Sequence, residues 1–596
     1  MTALRAGERL VGLGTNKTLT CGVVALALIV RVWVAASGNF YWDDLILAGR
    51  AGTYSAFSPD LLLYDHDGHF MPGAFLLAKI VTAISPYNWT LPVITLVVLQ
   101  ALAAVAVLRL LRLILGNRPI VLAPLVFYLF SPLTLPSYSW WAAGLNSLPL
   151  QIGLAWVAGD ALLLCRTGLR RHRVSGIAAF VVALLFFEKS VLIPFVAFAV
   201  VAVVYSVDGE SAPLRATWRA ARQLWIWSAC VGAVWLATYL IVVDQPFTLA
   251  SRSMAVGLLE HGISRGLLPT LIGGPWAWQR WQPSPPWADP SVLLIVLGWL
   301  GLVAAVVGSV RRKRRIVPIL VAMAAYVLAS EAAMVLTRSG PDTSYELGQT
   351  LRYVADSAVI IAIGAALIVR APDRRARPHR LHRSAVVALV IAFLVSSLWS
   401  TRTFVDSWRD NPTTDYLATA RASLAEHTDV PMLDMPVPTD VLLPFVYPNN
   451  LASRVFSPLP DRPQFATSTT ELQSMDNKGH VVDADVSPTR AITQGPNPQC
   501  GYRVEGTTVA RLPLDGPLAD WEWTAQINYA ASKDGELVVG LTDGKDVRVP
   551  VRQGLHQVYV RVIGSGDALR AYPITPGLSV CIAAGPVGGV LPDLPR

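Results

Sequence analysis

The chain has 596 residues, 53% of them hydrophobic and 15% charged, with a mean hydropathy of +0.47 and 19 Trp. Soluble globular proteins carry about 25% charged residues, so an ordinary soluble enzyme is excluded and disorder more so. The formal net charge of +9 divides unevenly: residues 1–400 hold 33 Lys+Arg against 18 Asp+Glu, and residues 401–596 hold 16 against 22.

Apolar runs of about 20 residues recur along the first 400 positions, each long enough to cross a bilayer as a helix. The excess basic charge belongs to this part, where it reads as topology rather than as nucleic-acid binding. The first run, 19–37, follows Arg5, Arg9 and Lys17. No small-residue cleavage site follows it, so it is expected to stay as the first span, with the N-terminus cytoplasmic.

The first outer loop, 38–72, opens with Phe40, Tyr41 and Trp42 at the interface and then Asp43-Asp44. Adjacent carboxylates at a membrane surface repel each other and lose hydration. A carboxylate there can take the proton of an acceptor hydroxyl, although LILAGRA follows and Asp also suits a helix N-cap. Next comes Asp65-His66-Asp67-Gly68-His69. Asp65 and Asp67 are candidate ligands for a divalent cation (Mg, Mn or Ca), and a protonated His can hold a phosphate. A plain surface turn reads equally well.

Further spans are expected at 90–111, 119–136 and 146–165. The run at 174–206 has 33 residues and basic clusters on both sides, Arg170, Arg171 and Arg173 before it and Arg215, Arg219 and Arg222 after it. Both clusters should be cytoplasmic, so the chain is expected to cross twice, with Glu188 and Lys189 at the outer turn. Spans at 223–243, 291–310, 316–336, 351–370 and 384–400 complete eleven. The runs Arg311–Arg315 and Arg370–Arg383 then lie inside, and the C-terminus outside.

Charges at the span ends are the next cue. Arg31 lies two turns below the outer end of the first span, and Arg352-Tyr353 opens the tenth. Arginine offers a bidentate fork to a lipid phosphate, with snorkelling as the alternative for Arg31. Glu331 closes the ninth span, and Trp276 leads a Trp-rich outer loop at 244–290. With Trp42 and His66 they are candidate substrate contacts, since Trp can stack on a sugar ring or lie on the bilayer.

After Trp399 the composition turns polar. Residues 401–496 read as a mixed connecting region with a helix at 413–427. Residues 497–596 alternate in short segments (WEWTAQINYAA, GELVVGLTDG, HQVYVRVIG) and read as a β-sandwich or jelly roll. Cys500 and Cys581 flank it and are expected to form a disulfide in an oxidising outer compartment.

The acidic pair after the first span resembles a feature of the C-type glycosyltransferase superfamily. So do His69-Phe70-Met71-Pro72 before an interfacial helix and Leu351-Arg352-Tyr353 opening a late span. That superfamily includes protein O-mannosyltransferases, lipid A aminoarabinose transferases and actinobacterial arabinosyltransferases. The resemblance covers about residues 1–400, and the C-terminal region resembles the carbohydrate-binding appendages of some members. It implies a polytopic helical membrane fold and transfer of one sugar from a polyprenyl-phosphate donor, with inversion, to an envelope glycan or glycolipid. Asp43 would match the general base, Asp44 would assist it, and Arg352 would neutralise the leaving phosphate, with Tyr353, His69 and Arg31 beside it. Asp-Asp stands where many members have Asp-Glu, which leaves open which acid is the base. The expected location is a bacterial plasma membrane. A transporter or flippase of lipid-linked sugar, and a non-catalytic glycan-binding scaffold, are the alternatives. No Gly-rich phosphate loop points to a nucleotide.

Overall fold

The computed structural model describes residues 2–244, 251–340, 343–374 and 383–593. Most of the Arg370–Arg383 cluster and part of the 244–290 loop therefore lie outside the described residues. The chain divides into two compact units, Met1–Leu47 with Tyr54–Asn411, and Ala48–Thr53 with Pro412–Arg596.

The first unit is helical. Among the described residues nine helical segments are long and apolar enough to cross a bilayer, from Lys17–Ala36 to the helix Arg383–Trp408. Two shorter helices, Arg170–Leu184 and Ser357–Arg370, fall on the other two expected spans. The run at 174–206 is broken at Leu185–Phe187, and the next segment restarts at Glu188, where the charge pattern requires a turn. The protein is thus a polytopic helical membrane protein.

Two spans differ in detail from expectation. The segment 119–139 is broken at Ser131-Pro132, because proline cannot continue an α-helix. The tenth span starts at Ser357 rather than at 351. Before it lies a 3-10 turn, Tyr345–Thr350, followed by Leu351 at φ +58°. A left-handed leucine cannot continue a right-handed helix, so Arg352 and Tyr353 stand on a loop.

The second unit carries the sheet. Among the described residues nine strands form one antiparallel sheet, with Val547–Val551, Gly535–Gly544, Gly554–Pro573, Ala510–Ala531, Ser579–Ile582 and Tyr502–Glu505 in that order. The two long strands pair at Ile527↔Val558 and Ala525↔Val560, and their register shifts between Pro513 and Trp521. Gly564, at φ +139°, sits opposite this irregularity, where a Cβ would lie 2.4 Å from the Asp543 carbonyl oxygen. The sheet bends over one core that includes Val504, Ile527, Leu537, Val549, Leu569 and Val580. Cys500 and Cys581 are bonded. The helix Thr413–Glu426 lies on the expected segment, without a side-chain cap.

Candidate active site

The Asp43–Thr53 helix begins with the acidic pair, and the two carboxylates have different surroundings. Asp44 has no exposed surface. Its Oδ2 accepts from the Tyr41 N–H (3.0 Å) and its Oδ1 from the Ala142 N–H (2.8 Å), tying the loop to the start of the Trp141–Thr167 helix. Burial raises its pKa well above the usual carboxylate range despite those two donors. Asp43 keeps 29% of its side chain exposed and lies 3.4 Å from His66 Nε2. Burial alone would raise its pKa, but the His66 hydrogen bond and charge, then Arg352 and His69, outweigh burial and hold it below the usual range.

The loop from Asp65 to His69 folds back on itself, with mutual backbone hydrogen bonds of 3.0 Å between His66 and His69. His69 Nδ1 meets Glu188 Oε1 at 2.8 Å, and its Nε2 lies 2.7 Å from Arg338 Nη2. Arg338 also pairs with Asp67. The break at Leu185–Phe187 holds this loop in place. Gly73 donates to the Leu185 carbonyl (2.7 Å), and a Cβ on Gly73 would lie 2.8 Å from the Phe186 ring.

Across from Asp43 stands Arg352. Its guanidinium packs over Trp140 (4.7 Å) and Tyr353 (4.8 Å), and its Nη2 donates to the Tyr353 hydroxyl (2.7 Å). Among the described residues no carboxylate lies within ion-pair range of it. Below, Lys189 Nζ donates to the Tyr353 carbonyl and to Asp356, each at 2.8 Å, and the Tyr326 hydroxyl donates to Asp356 as well. Asp43, His66, Asp67, His69, Trp140, Asn146, Arg338, Arg352 and Tyr353 line one cavity of about 90 Å³, room for about three waters. It brings the Asp43 carboxylate to face two guanidinium groups and two imidazoles, with Asp67 already paired to one of the guanidinium groups.

Of the residues expected from sequence, Asp43, His66, His69, Arg352 and Tyr353 meet at this cavity. Arg31 does not. It donates to the Leu129 carbonyl and the Thr134 hydroxyl and packs under Tyr138. It thereby satisfies backbone at the Pro132 break, a requirement wherever a helix opens inside a bilayer. Glu331 has no exposed surface and is packed on Gly262, where a Cβ would lie 2.6 Å from its Oε2. Trp276 donates from Nε1 to Ser396 (2.7 Å), which fixes it on the Arg383–Trp408 helix, and Trp42 does not line the cavity.

The two candidate cation ligands, Asp65 and Asp67, stand in the same loop with other partners. Asp65 Oδ1 accepts from the Gly68 N–H (2.8 Å) and Asp67 is committed to Arg338. Among the described residues no three His, Cys, Asp or Glu side chains are placed to hold a metal. Sequence reading missed Arg338, Glu188 in its role on His69, Trp140, and the Lys189–Asp356 pair. Arg338 closes the ninth span, and an ionisable residue at a span end was a usable signal.

In the second unit a groove of about 640 Å³ includes Tyr447, Asn450, Trp521, Glu522, Lys545 and Arg561 in its walls. Trp521 is 65% and Tyr447 52% exposed, Glu522 and Arg561 pair at 2.6 Å, and the Asn450 side-chain oxygen is buried without a hydrogen-bond partner.

No protein-family model and no curated protein matches the chain. Solved structures do show likeness. ArnT from Cupriavidus metallidurans bound to undecaprenyl phosphate aligns at 13% identity and a TM-score of 0.44, over 75% of this chain and 89% of that one. The arabinofuranosyltransferase AftD from Mycobacteria aligns at 12% identity and a TM-score of 0.35, over 96% of this chain and 60% of that one. The chain is also similar to the arabinosyltransferase EmbB from Mycobacterium smegmatis, at 12% identity and a TM-score of 0.27, over 96% of this chain and 64% of the other.

Proposed function

We propose that the protein is a membrane glycosyltransferase that moves one sugar from a polyprenyl-phosphate donor to a hydroxyl of a cell-envelope glycan or glycolipid. The observation that carries this reading is the opposition, in one cavity, of Asp43 to an Arg352 guanidinium that has no carboxylate partner among the described residues. A base and an anion clamp are the two groups this reaction needs from a protein.

The acceptor oxygen attacks the anomeric carbon and its proton passes to Asp43. The bond from that carbon to the phosphate oxygen breaks, and the oxygen keeps the electron pair. Arg352 matches the charge of the departing lipid phosphate, and Arg338, held by Asp67 and His69, lines the same cavity. One direct displacement inverts the anomeric centre. Asp44 stands behind as a positioning residue that fixes the loop carrying Asp43.

We also infer that the groove in the second unit takes the glycan. Exposed aromatic faces stack on sugar rings, and a fixed Glu–Arg pair with a free amide oxygen offers donors and acceptors to hydroxyls. Two acidic residues, Asp520 and Glu522, balance Lys545 and Arg561 in its walls, which favours a neutral saccharide over a polyanion.

The test is transfer of radiolabelled sugar by the purified protein, from a panel of polyprenyl-phosphate sugars to envelope glycan fragments. Transfer by the wild type and none by Asp43→Asn is expected. Donor binding without transfer by either would replace the reading with carriage or scaffolding.

A further inference from the structure

The helices that open at the Asp43 cavity end together elsewhere. Trp141–Thr167 and Glu188–Asp208 start beside His69, Trp140 and Asn146, and Ser357–Arg370 starts just after Arg352 and Tyr353. The last turns of all three, with that of Thr90–Leu115, line a second and larger cavity of about 890 Å³. A helix of 27 residues rises about 40 Å at 1.5 Å per residue, about the thickness of a bilayer with its headgroups. The second cavity therefore sits at the opposite membrane face from the first.

Its walls have two characters. Arg112, Arg118, Arg166 and Arg370 stand against one carboxylate, Asp208. Leu162, Val201 and Val204 line it as well. Four helix C-termini gather carbonyl groups here, and part of the basic charge answers to them. Arg166 donates to the Leu113 carbonyl (3.0 Å), and Arg370 donates to the Ile114 carbonyl (2.9 Å) while its Nη2 reaches both oxygens of Asp208 at 2.7 Å. Those two arginines are committed. Arg112 and Arg118 are not: among the described residues no carboxylate lies within ion-pair range of either, and Arg118 is exposed.

We infer that this cavity holds the phosphate headgroup of an anionic phospholipid, with Arg112 and Arg118 on the phosphate and the first acyl carbons along Leu162, Val201 and Val204. An unneutralised guanidinium pair calls for an anion. The adjoining apolar wall, at the height of a bilayer surface, calls for an amphiphile rather than a free ion, and basic pockets between helix ends are suited to lipid headgroups. The bound lipid would join the ends of four helices, three of which start at the Asp43 site.

The full-length protein, purified in detergent, is titrated with phosphatidylglycerol, phosphatidylcholine or inorganic phosphate. Thermal unfolding and lipid retention in native mass spectrometry are read. Phosphatidylglycerol should raise the unfolding midpoint and remain bound, the other two should do neither, and R112Q/R118Q should weaken the phosphatidylglycerol effect at least tenfold. If the double variant does not fold, R118Q alone at its exposed position reads the same loss in smaller measure. An equal effect of phosphatidylcholine, an effect reproduced by inorganic phosphate, or an unchanged response in the variants would overturn the assignment. Because the readout is lipid binding, the result is independent of whether the Asp43 cavity transfers sugar.

Discussion

The two aspartates are adjacent in sequence and identical in chemistry, yet the fold gives them separate tasks. Asp43→Asn removes the proposed base and leaves the Asp44 anchors intact. Turnover should fall by about 10²–10⁴-fold, the usual worth of general-base help, with only the modest drop in thermal midpoint that losing the charge beside His66 entails. Asp44→Asn does the reverse: an amide cannot accept from the Tyr41 and Ala142 N–H groups at both ends. It should cost about 1–3 kcal/mol, the usual penalty for an unmet buried group, visible as a lower midpoint with residual transfer. The pH profile separates them further. Asp43 is held below the usual carboxylate range, with burial opposed chiefly by His66. Its contribution to stability is thus present at neutral pH and is lost as pH falls through that lowered value. His66→Gln leaves burial less opposed, so the Asp43 pKa rises and the acid limb of the transfer rate should move to higher pH; an unmoved limb would remove His66 from this role. The sequence singled out the pair, because two charges at a membrane interface are costly. It could not show which one faces the cavity, since that depends on Ala142, about a hundred positions away.

At the scale of elements, the spans were legible because each is an apolar run with a basic flank. The break inside 174–206 was legible because 33 residues exceed one bilayer. What lies between helices was not. The Pro132 break was visible as a proline, but not that Arg31 would serve it, so Arg31 read as a phosphate ligand. The Lys189–Asp356 pair is the clearest case. Lys189 is on the segment after the Phe187 break, Asp356 is one residue before the Ser357–Arg370 helix, and they are 8% and 3% exposed. The lysine also holds the Tyr353 carbonyl, so it sets the loop that presents Arg352. Lys189→Met leaves Asp356 buried without its cation and should destabilise by about 3–5 kcal/mol, whereas replacing both partners with apolar residues should restore most of that loss. The double variant tells positioning from folding. If it is stable yet has a raised KM for donor with little change in kcat, the pair acts by placing Arg352. If its kinetics are normal, the pair only holds the fold.

For the whole molecule, the charge division between the two parts of the chain predicts an orientation that the bond between Cys500 and Cys581 tests separately. The basic segments that should stay inside are the flanks of the helix ends around Arg112, Arg166 and Arg370, and the Asp43 loop lies at the other ends of those helices. An uneven number of crossings then puts residues 412–596 outside, in the compartment where a disulfide persists. The bond joins positions 81 apart, and loop-closure entropy gives such a link about 4.5 kcal/mol, so Cys500→Ser with Cys581→Ser should sharply lower the stability of the sheet. Two measurements on intact cells decide the orientation. A membrane-impermeant thiol reagent should label a cysteine placed at exposed Lys533 but not one placed at Arg118, and the native pair should run as oxidised without added oxidant. Labelling at Arg118 with none at Lys533 would invert the topology, putting Asp43 on the inner face and its donor with it. With the orientation as expected, Trp521→Ala should weaken binding of neutral glycan fragments by about tenfold, the equivalent of about 1.4 kcal/mol, while leaving the rate on a short soluble acceptor unchanged. That split follows from the proposed roles: the groove lies in a unit with its own core, so it would tune which glycan is held without touching the proposed base or phosphate clamp.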